Sequence, residues 1–314
     1  MEKISFVIPC YNSSKTIGGV VERLVKTVTS REGYDYEIIL VNDCSPDNVM
    51  DVIKDICSLN GKVKGVSLAK NFGQHSALMA GFHYVTGDVA VCLDDDGQTA
   101  EEELFTLVDR LGDDCDLVYA NYPSKKHSLF RNLGSKVNDA MAKSLLDKPK
   151  ELSLMSYFAC KRYLIDQIKR YTNPYPYVAG LLLKATNKIK NVDIPHRNRL
   201  EGKSNYTYRK LFSLWLNGFT AFSVKPLRAA TLMGFFVAIA GFLYGLYVFV
   251  GRLMNIVQSG GYASMMVALL LVGGIIMMLL GMIGEYIGRI YISINTIPQF
   301  VVRETFNVDT GTAD

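Results

Sequence analysis

Short apolar runs recur along the first hundred residues, each followed by a polar-faced stretch of helical spacing. Residues 4–8 (Ile-Ser-Phe-Val-Ile), 37–41, 63–68 and 89–93 are rich in β-branched side chains and read as four strands. Between them, apolar positions in 20–28, 49–59 and 76–85 recur every three to four residues, which predicts amphipathic helices. Strand and helix alternating at this period predict an α/β domain with a parallel, doubly wound sheet. Ligands are then expected at the carboxyl ends of its strands. No Gly-x-Gly-x-x-Gly is present, so a nicotinamide or flavin site is not expected.

The pattern changes beyond residue 228. Residues 229–251 and 264–284 are apolar on every side, and each is long enough to cross ~30 Å of hydrocarbon. Arg252 is the only charge from Ala229 to Gly284, so 63 of the 64 charged residues lie in the other 258 positions. The low charged fraction of 20% is therefore local, and an ordinary globular head is joined to a membrane block. Four segments are expected: a head over 1–203, an interfacial juxtamembrane helix over 204–228, two transmembrane helices within 229–284, and a tail over 285–314. In 208–222, Leu211, Trp215 and Phe219 share a helical face behind Arg209 and Lys210, as in a helix lying in the membrane plane.

Charge and cysteine usage set the compartment. Lys225 and Arg228 precede the first span and Arg289 and Arg303 follow the second, against Arg252 alone between them. The positive-inside rule predicts a multi-pass inner (plasma) membrane protein with head and both termini in the cytoplasm. Met1-Glu2-Lys3 leads into an apolar stretch too short for a secretory signal. The six cysteines form no C-x-x-C pair and suit a reducing compartment. Neither span carries an ionisable group at mid-membrane, so anchoring and assembly are expected and solute transport is not. Gly234, Gly241, Gly245, Gly273, Gly274 and Gly281 permit close helix packing.

Acidic residues gather where the strands end. The second strand runs into Asn42-Asp43-Cys44-Ser45, and the fourth into Asp94-Asp95-Asp96-Gly97-Gln98. Three consecutive carboxylates repel one another unless a cation or donor groups neutralise them. Oxygen ligands of this kind suit Mg²⁺ or Mn²⁺, which commonly bridge to substrate phosphates. Ahead of the membrane, residues 197–228 hold seven Lys/Arg and one acid, a cationic run fit to position an anionic acceptor.

Together these residues resemble a known family. Pro9-Cys10-Tyr11-Asn12, Asn42-Asp43-x-Ser45, the run from Asn71 to Ala77 and Asp94-x-Asp96-x-Gln98 occur in the order seen in inverting family 2 glycosyltransferases of GT-A fold. The likeness continues through the run from Phe130 to Lys136, through Arg199-x-x-Gly202-Lys203-Ser204-Asn205-Tyr206, and to the run from Gly284 to Tyr291. More narrowly it resembles the polyprenyl-phosphate glycosyltransferases, which include dolichyl-phosphate mannose synthases and bacterial undecaprenyl-phosphate sugar transferases.

The resemblance implies transfer of a sugar from a nucleotide sugar, UDP-linked, to a polyprenyl phosphate lipid. It implies that Pro9, Tyr11 and Asn12 flank the nucleotide and that Asp43 accepts a hydrogen bond from its base. Asp94 and Asp96 are then the metal–diphosphate pair, with Asp96 the direct ligand, and Gln98 lies beside the sugar or acceptor phosphate. Arg131, Ser135, Arg199 and Lys203 match acceptor-phosphate positions, and His75 is a structural polar residue beside the nucleotide. A homo-oligomer, a tetramer, and a separate flippase are the implied partners, and no nucleic acid is.

The chain also departs from the family. Many relatives carry an Asp-x-Gly…Arg stretch where this chain reads Leu152-Ser153-Leu154-Met155-Ser156-Tyr157-Phe158, so no general base is assigned. Thr99-Ala100-Glu101 replaces the usual prolines, and Tyr122 stands where some relatives have arginine. Trp215 follows Leu214, so the Q-x-x-R-W motif of processive polysaccharide synthases is absent. Two other readings remain: an anchored transferase acting directly on a glycan or glycolipid, and a non-catalytic membrane scaffold.

Overall fold

A computed structural model of the chain describes residues 1–122, 152–195, 225–254, 261–294 and 298–308. The chain divides into two compact units, Met1–Tyr206 with Thr296–Asp314, and Thr207–Asn295.

The first unit is built on strands β1 (Glu2–Cys10), β2 (Tyr34–Asn42), β3 (Val63–Leu68), β4 (Val89–Cys92), β5 (Leu117–Asn121), β6 (Phe158–Lys161), β7 (Ile189–Asp193) and β8 (Val302–Phe306). They form one sheet in the order β7-β5-β6-β4-β1-β2-β3-β8. Helices α1 (Ile17–Thr29), α2 (Val49–Leu59), α3 (Gln74–Phe82), α4 (Leu104–Val108), α5 (Arg162–Ile168) and α6 (Val178–Ala185) cover it.

The β4-β1-β2-β3 half is parallel, as helical crossovers require. The rest corrects the all-parallel expectation. β6 runs antiparallel to both β4 and β5, and β8 runs antiparallel to β3. The segment read as a tail therefore supplies an edge strand of the head.

Both sheet faces are buried, which is why the strands read as continuous apolar runs. Ile4, Phe6 and Ile8 of β1 pack with Ile38 and Leu40 beneath α1 and α2. On the other face, Val7, Ile39 and Val41 pack beneath α3. In α1 the buried residues are Ile17, Val20, Val21, Leu24 and Val28, a single stripe. α3 is instead buried continuously from Ser76 to Phe82 and lies close on the sheet. A Cβ at Gly81 would stand 2.5 Å from Val7 Cγ1 and 3.0 Å from Val41 Cγ2, so only glycine fits there unshifted.

The second unit contains α7 (Lys225–Leu253) and α8 (Tyr262–Ile294), which pack on each other. Among the described residues one helix, α8, has a stretch long and apolar enough to cross a membrane: Leu271–Gly288, mean hydropathy 1.8. The apolar stretch of α7, Gly234–Tyr247, is shorter, so the pair of spans expected from sequence is met by one helix on this measure. Of the six glycines named for close packing, Gly234 alone has a neighbour, Leu279 Cδ1, within 4 Å of an added Cβ. The expected interfacial helix over 208–222 lies outside the described residues.

Candidate active site

β4, β1 and β2 are neighbours in the sheet, so the loops leaving their carboxyl ends share one edge. Pro9 and Cys10 are the last residues of β1, paired with Val41 and Asn42 of β2. Beyond them the Tyr11 N–H donates to Asp95 Oδ2 at 2.9 Å, and the Asn12 N–H donates to Ser45 Oγ at 2.8 Å. Asn12 takes the left-handed φ of 57° that asparagine tolerates. The Thr16 hydroxyl donates to the Asp95 carbonyl at 2.6 Å. One loop is thus stapled to both of its neighbours.

The loop after β2 is held by its own polar groups. Ser45 N–H donates to Asn42 Oδ1 at 3.0 Å, and the Ser45 hydroxyl donates to Asp47 Oδ1 at 2.6 Å. Ser14 N–H donates to Asp47 Oδ2 at 3.0 Å. Burial pushes the Asp47 carboxyl up, but these donors outweigh it and hold the group below the usual range.

Asp43 is 3% exposed. Its Oδ1 accepts the Phe72 N–H at 2.7 Å and its Oδ2 the Gly73 N–H at 2.8 Å. Burial raises its pKa and the two N–H groups oppose the rise. Asp43 thereby fixes the turn into α3, where Gly73 has a φ of 91°. That role is additional to the base contact implied by resemblance; each carboxylate oxygen keeps a second lone pair.

The acidic run follows β4. Asp94 Oδ1 accepts from Gln74 Nε2 at 2.8 Å, and Asp94 Oδ2 accepts from the Ser156 hydroxyl. Asp96 Oδ1 accepts the Gln98 N–H at 3.0 Å. Burial, with the adjacent charges of Asp94 and Asp96, raises the Asp95 carboxyl to about 6 against the Tyr11 N–H. Tyr122 lies close enough to this cluster that burial, then Asp94 and Asp96, push its phenol up to about 12. Behind the cluster, Glu101 is fully buried and paired with Arg23 through two bonds of 2.9 and 3.0 Å. His75 packs edge-on against Tyr177, ring centroids 5.1 Å apart, and burial lowers its pKa to about 4.

One sheet edge therefore gathers Pro9, Tyr11, Asn12, Asp43, Asp94, Asp96 and Gln98. Arg131, Ser135, Arg199 and Lys203 lie outside the described residues. Sequence reasoning missed Asp95, Gln74 and Ser156 as members of the site. The middle of an acidic triplet carries no signal of facing inward, and the Gln74 and Ser156 contacts span 20 and 62 residues.

Among the described residues no three His, Cys, Asp or Glu side chains converge on a common point. Such a donor set does not cage a structural metal. It fits a hard divalent cation that takes one or two carboxylates and completes its shell with substrate phosphate oxygens.

Comparison with known proteins bears on family and fold. Residues 5–173 match the model of glycosyl transferase family 2, and residues 225–290 match that of the GtrB C-terminal hairpin. The chain is 30% identical over 315 residues to an undecaprenyl-phosphate 4-deoxy-4-formamido-L-arabinose transferase of Proteus mirabilis, covering 98% of this chain and 95% of that one. The Pectobacterium atrosepticum transferase of the same name is 31% identical, with 99% and 95% covered. Among solved structures, glucosyl-3-phosphoglycerate synthase of Mycobacterium tuberculosis in complex with Mn²⁺, UDP-glucose and phosphoglyceric acid has a TM-score of 0.52. It is 18% identical, over 70% of this chain and 78% of that one, a likeness of fold. With a family model spanning more than half of its length and relatives matched nearly end to end, the chain belongs to glycosyltransferase family 2, and it is a GT-A-fold transferase.

Proposed function

We propose that this protein transfers a sugar, with inversion, from a UDP-linked nucleotide sugar to the phosphate of undecaprenyl phosphate or a related polyprenyl phosphate. The reaction takes place at the cytoplasmic leaflet and serves modification of the cell-envelope glycan. The observation that carries the reading is the shared edge itself: Asp43 follows β2, and Asp94 and Asp96 follow β4, on either side of β1. End-to-end likeness to named undecaprenyl-phosphate sugar transferases supports the acceptor. The hairpin match over 225–290 supports a second span beside α8 and a multi-pass topology.

In this reading Pro9, Tyr11 and Asn12 flank the nucleotide, and Asp43 accepts from its base. Asp94 and Asp96 hold Mg²⁺ or Mn²⁺, which, when bound, neutralises charge on the departing diphosphate. An oxygen of the acceptor phosphate forms the new bond to the sugar C1 while the C1–O bond to the diphosphate breaks, its electron pair leaving with the nucleoside diphosphate. A phosphate monoester is already anionic near neutral pH, so the acceptor needs no general base. This suits the departure at 152–158, where no Asp or Arg stands. Arg131, Ser135, Arg199 and Lys203 position that phosphate, with Gln98 beside it. The product stays in the leaflet where it forms, so a separate flippase moves it, and the hairpins assemble a homo-oligomer, a tetramer.

Incubating the purified protein with a panel of nucleotide sugars and undecaprenyl phosphate, with mass analysis of the lipid, tests this. One sugar–phospholipid product is expected, lost on chelation and reduced by orders of magnitude in Asp96→Asn. Transfer to a glycan with the lipid untouched overturns the acceptor assignment. Full Asp96→Asn activity in excess chelator overturns the cation site.

A further inference from the structure

The Asp94 carboxylate is held from two directions by neutral donors to which nothing above gives a function. Gln74 opens α3 and reaches Asp94 Oδ1 through its side-chain amide at 2.8 Å. Ser156 lies two residues ahead of β6, and its hydroxyl donates to the other oxygen, Oδ2. Both donors rest on fixed supports. The N–H of Gly73, the residue before Gln74, is bound by Asp43, and α3 is buried from Ser76 onward. Tyr157 and Phe158, which follow Ser156, are 1% and 3% exposed. Asp96 accepts a bond from the Gln98 N–H, two residues on.

We propose that Gln74 and Ser156 are positioning residues that together fix the orientation of Asp94 toward the cation and diphosphate. The inference rests on the reading of Asp94 and Asp96 as the cation–diphosphate pair. The chemistry of the two donors matters. An amide and a hydroxyl are neutral donors, so their hydrogen bonds orient a carboxylate without themselves neutralising its charge. Groups that orient metal-ligating carboxylates typically account for about 10–100-fold in metal affinity.

Both side chains are exposed, so replacing them leaves the core untouched. The test uses the full chain in detergent with UDP present, titrated with Mn²⁺, the free ion being read by electron paramagnetic resonance. Gln74→Ala and Ser156→Ala are each expected to weaken Mn²⁺ binding about tenfold or more, with the thermal midpoint unchanged. Ser156→Thr, which keeps the hydroxyl, restores it to within about twofold of wild type, a rescue that a merely structural role does not produce. Asp96→Asn separates the two levels of the argument. If Asp96→Asn loses Mn²⁺ while Gln74→Ala and Ser156→Ala bind it like wild type, the positioning role is overturned and the cation site stands. If Asp96→Asn also binds Mn²⁺ like wild type, the reading beneath it fails.

Discussion

Glu37 is 2% exposed, and five donors converge on it from three other segments. The Ser5 hydroxyl and Thr86 N–H reach Oε1, both at 2.6 Å. The Thr86 hydroxyl, Lys64 Nζ and Lys3 Nζ reach Oε2 at 2.7, 2.8 and 3.0 Å. Burial alone would push this carboxyl up; the donors reverse the sign and bring it down from 4.5 to about 2. A carboxyl depressed on folding contributes stability above its unfolded pKa and loses it as pH falls through the folded one. The window here runs from about 4.5 to about 2, and the shift corresponds to ~3 kcal/mol. In acid titrations followed by circular dichroism, Glu37→Gln is expected to be less stable at pH 7 and to lose less stability than wild type below pH 5. Parallel pH curves for the two proteins would show that Glu37 carries no such linkage. None of this network was legible beforehand. Residue 37 reads as the polar start of an apolar run, and Ser5 and Thr86 carry no mark of their destination. Asp95, Gln74 and Ser156 were hidden for the same reason, because a hydrogen bond between distant residues leaves no periodicity in sequence.

Elements were more legible where burial imposed a pattern. Strands β1 to β4 and helices α1 to α3 sit where apolar spacing placed them, because strands buried on both faces and linked by helical crossovers have few alternatives. β5 to β8 escaped. β6 is four residues long and pairs with both β4 and β5, and β8 lies beyond both long helices. The fit of α3 on the sheet yields a prediction at this scale. Gly81→Ala brings a Cβ within 2.5 Å of Val7, a β-branched residue in a central strand that has little freedom to move. Overpacking of this kind costs about 1–3 kcal/mol, or ~2–10 °C in the thermal midpoint. Gly61→Ala is the matched control, since an added Cβ there meets nothing within 4 Å. Equal midpoints for the two variants would mean that the layer beneath Gly81 is looser than these distances.

At the scale of the whole chain, the head is discontinuous: its last strand arrives only after α7 and α8. β8 pairs with β3 from Gly65↔Phe306 to Leu68↔Val302, and Ala69 N–H donates to the Val301 carbonyl at 2.9 Å. Asn307 closes the far end, its amide donating to the Cys57 and Val63 carbonyls at 2.7 and 2.9 Å. Four and five residues past β3 come Phe72 and Gly73, whose N–H groups Asp43 holds. The strand that returns from the helices therefore braces the strand that leads into the turn held by Asp43. Ending the chain at Ile294 removes this brace and exposes β3 as an open edge. Losing the Asn307 amide bonds and the ladder bonds at about 1 kcal/mol each predicts a loss of several kcal/mol and a midpoint lower by roughly 10 °C. Because the loosened strand feeds Asp43, UDP affinity should fall as well, by calorimetry on protein that is still folded at the working temperature. Asn307→Ala is the milder version, expected to lower the midpoint by about 5 °C while UDP binds as before, since Val301 still holds the end of β3 nearest the site. A truncated chain with unchanged midpoint and unchanged UDP affinity would reduce β8 to an ornament of the sheet. A lower midpoint with UDP affinity intact would confine its role to stability.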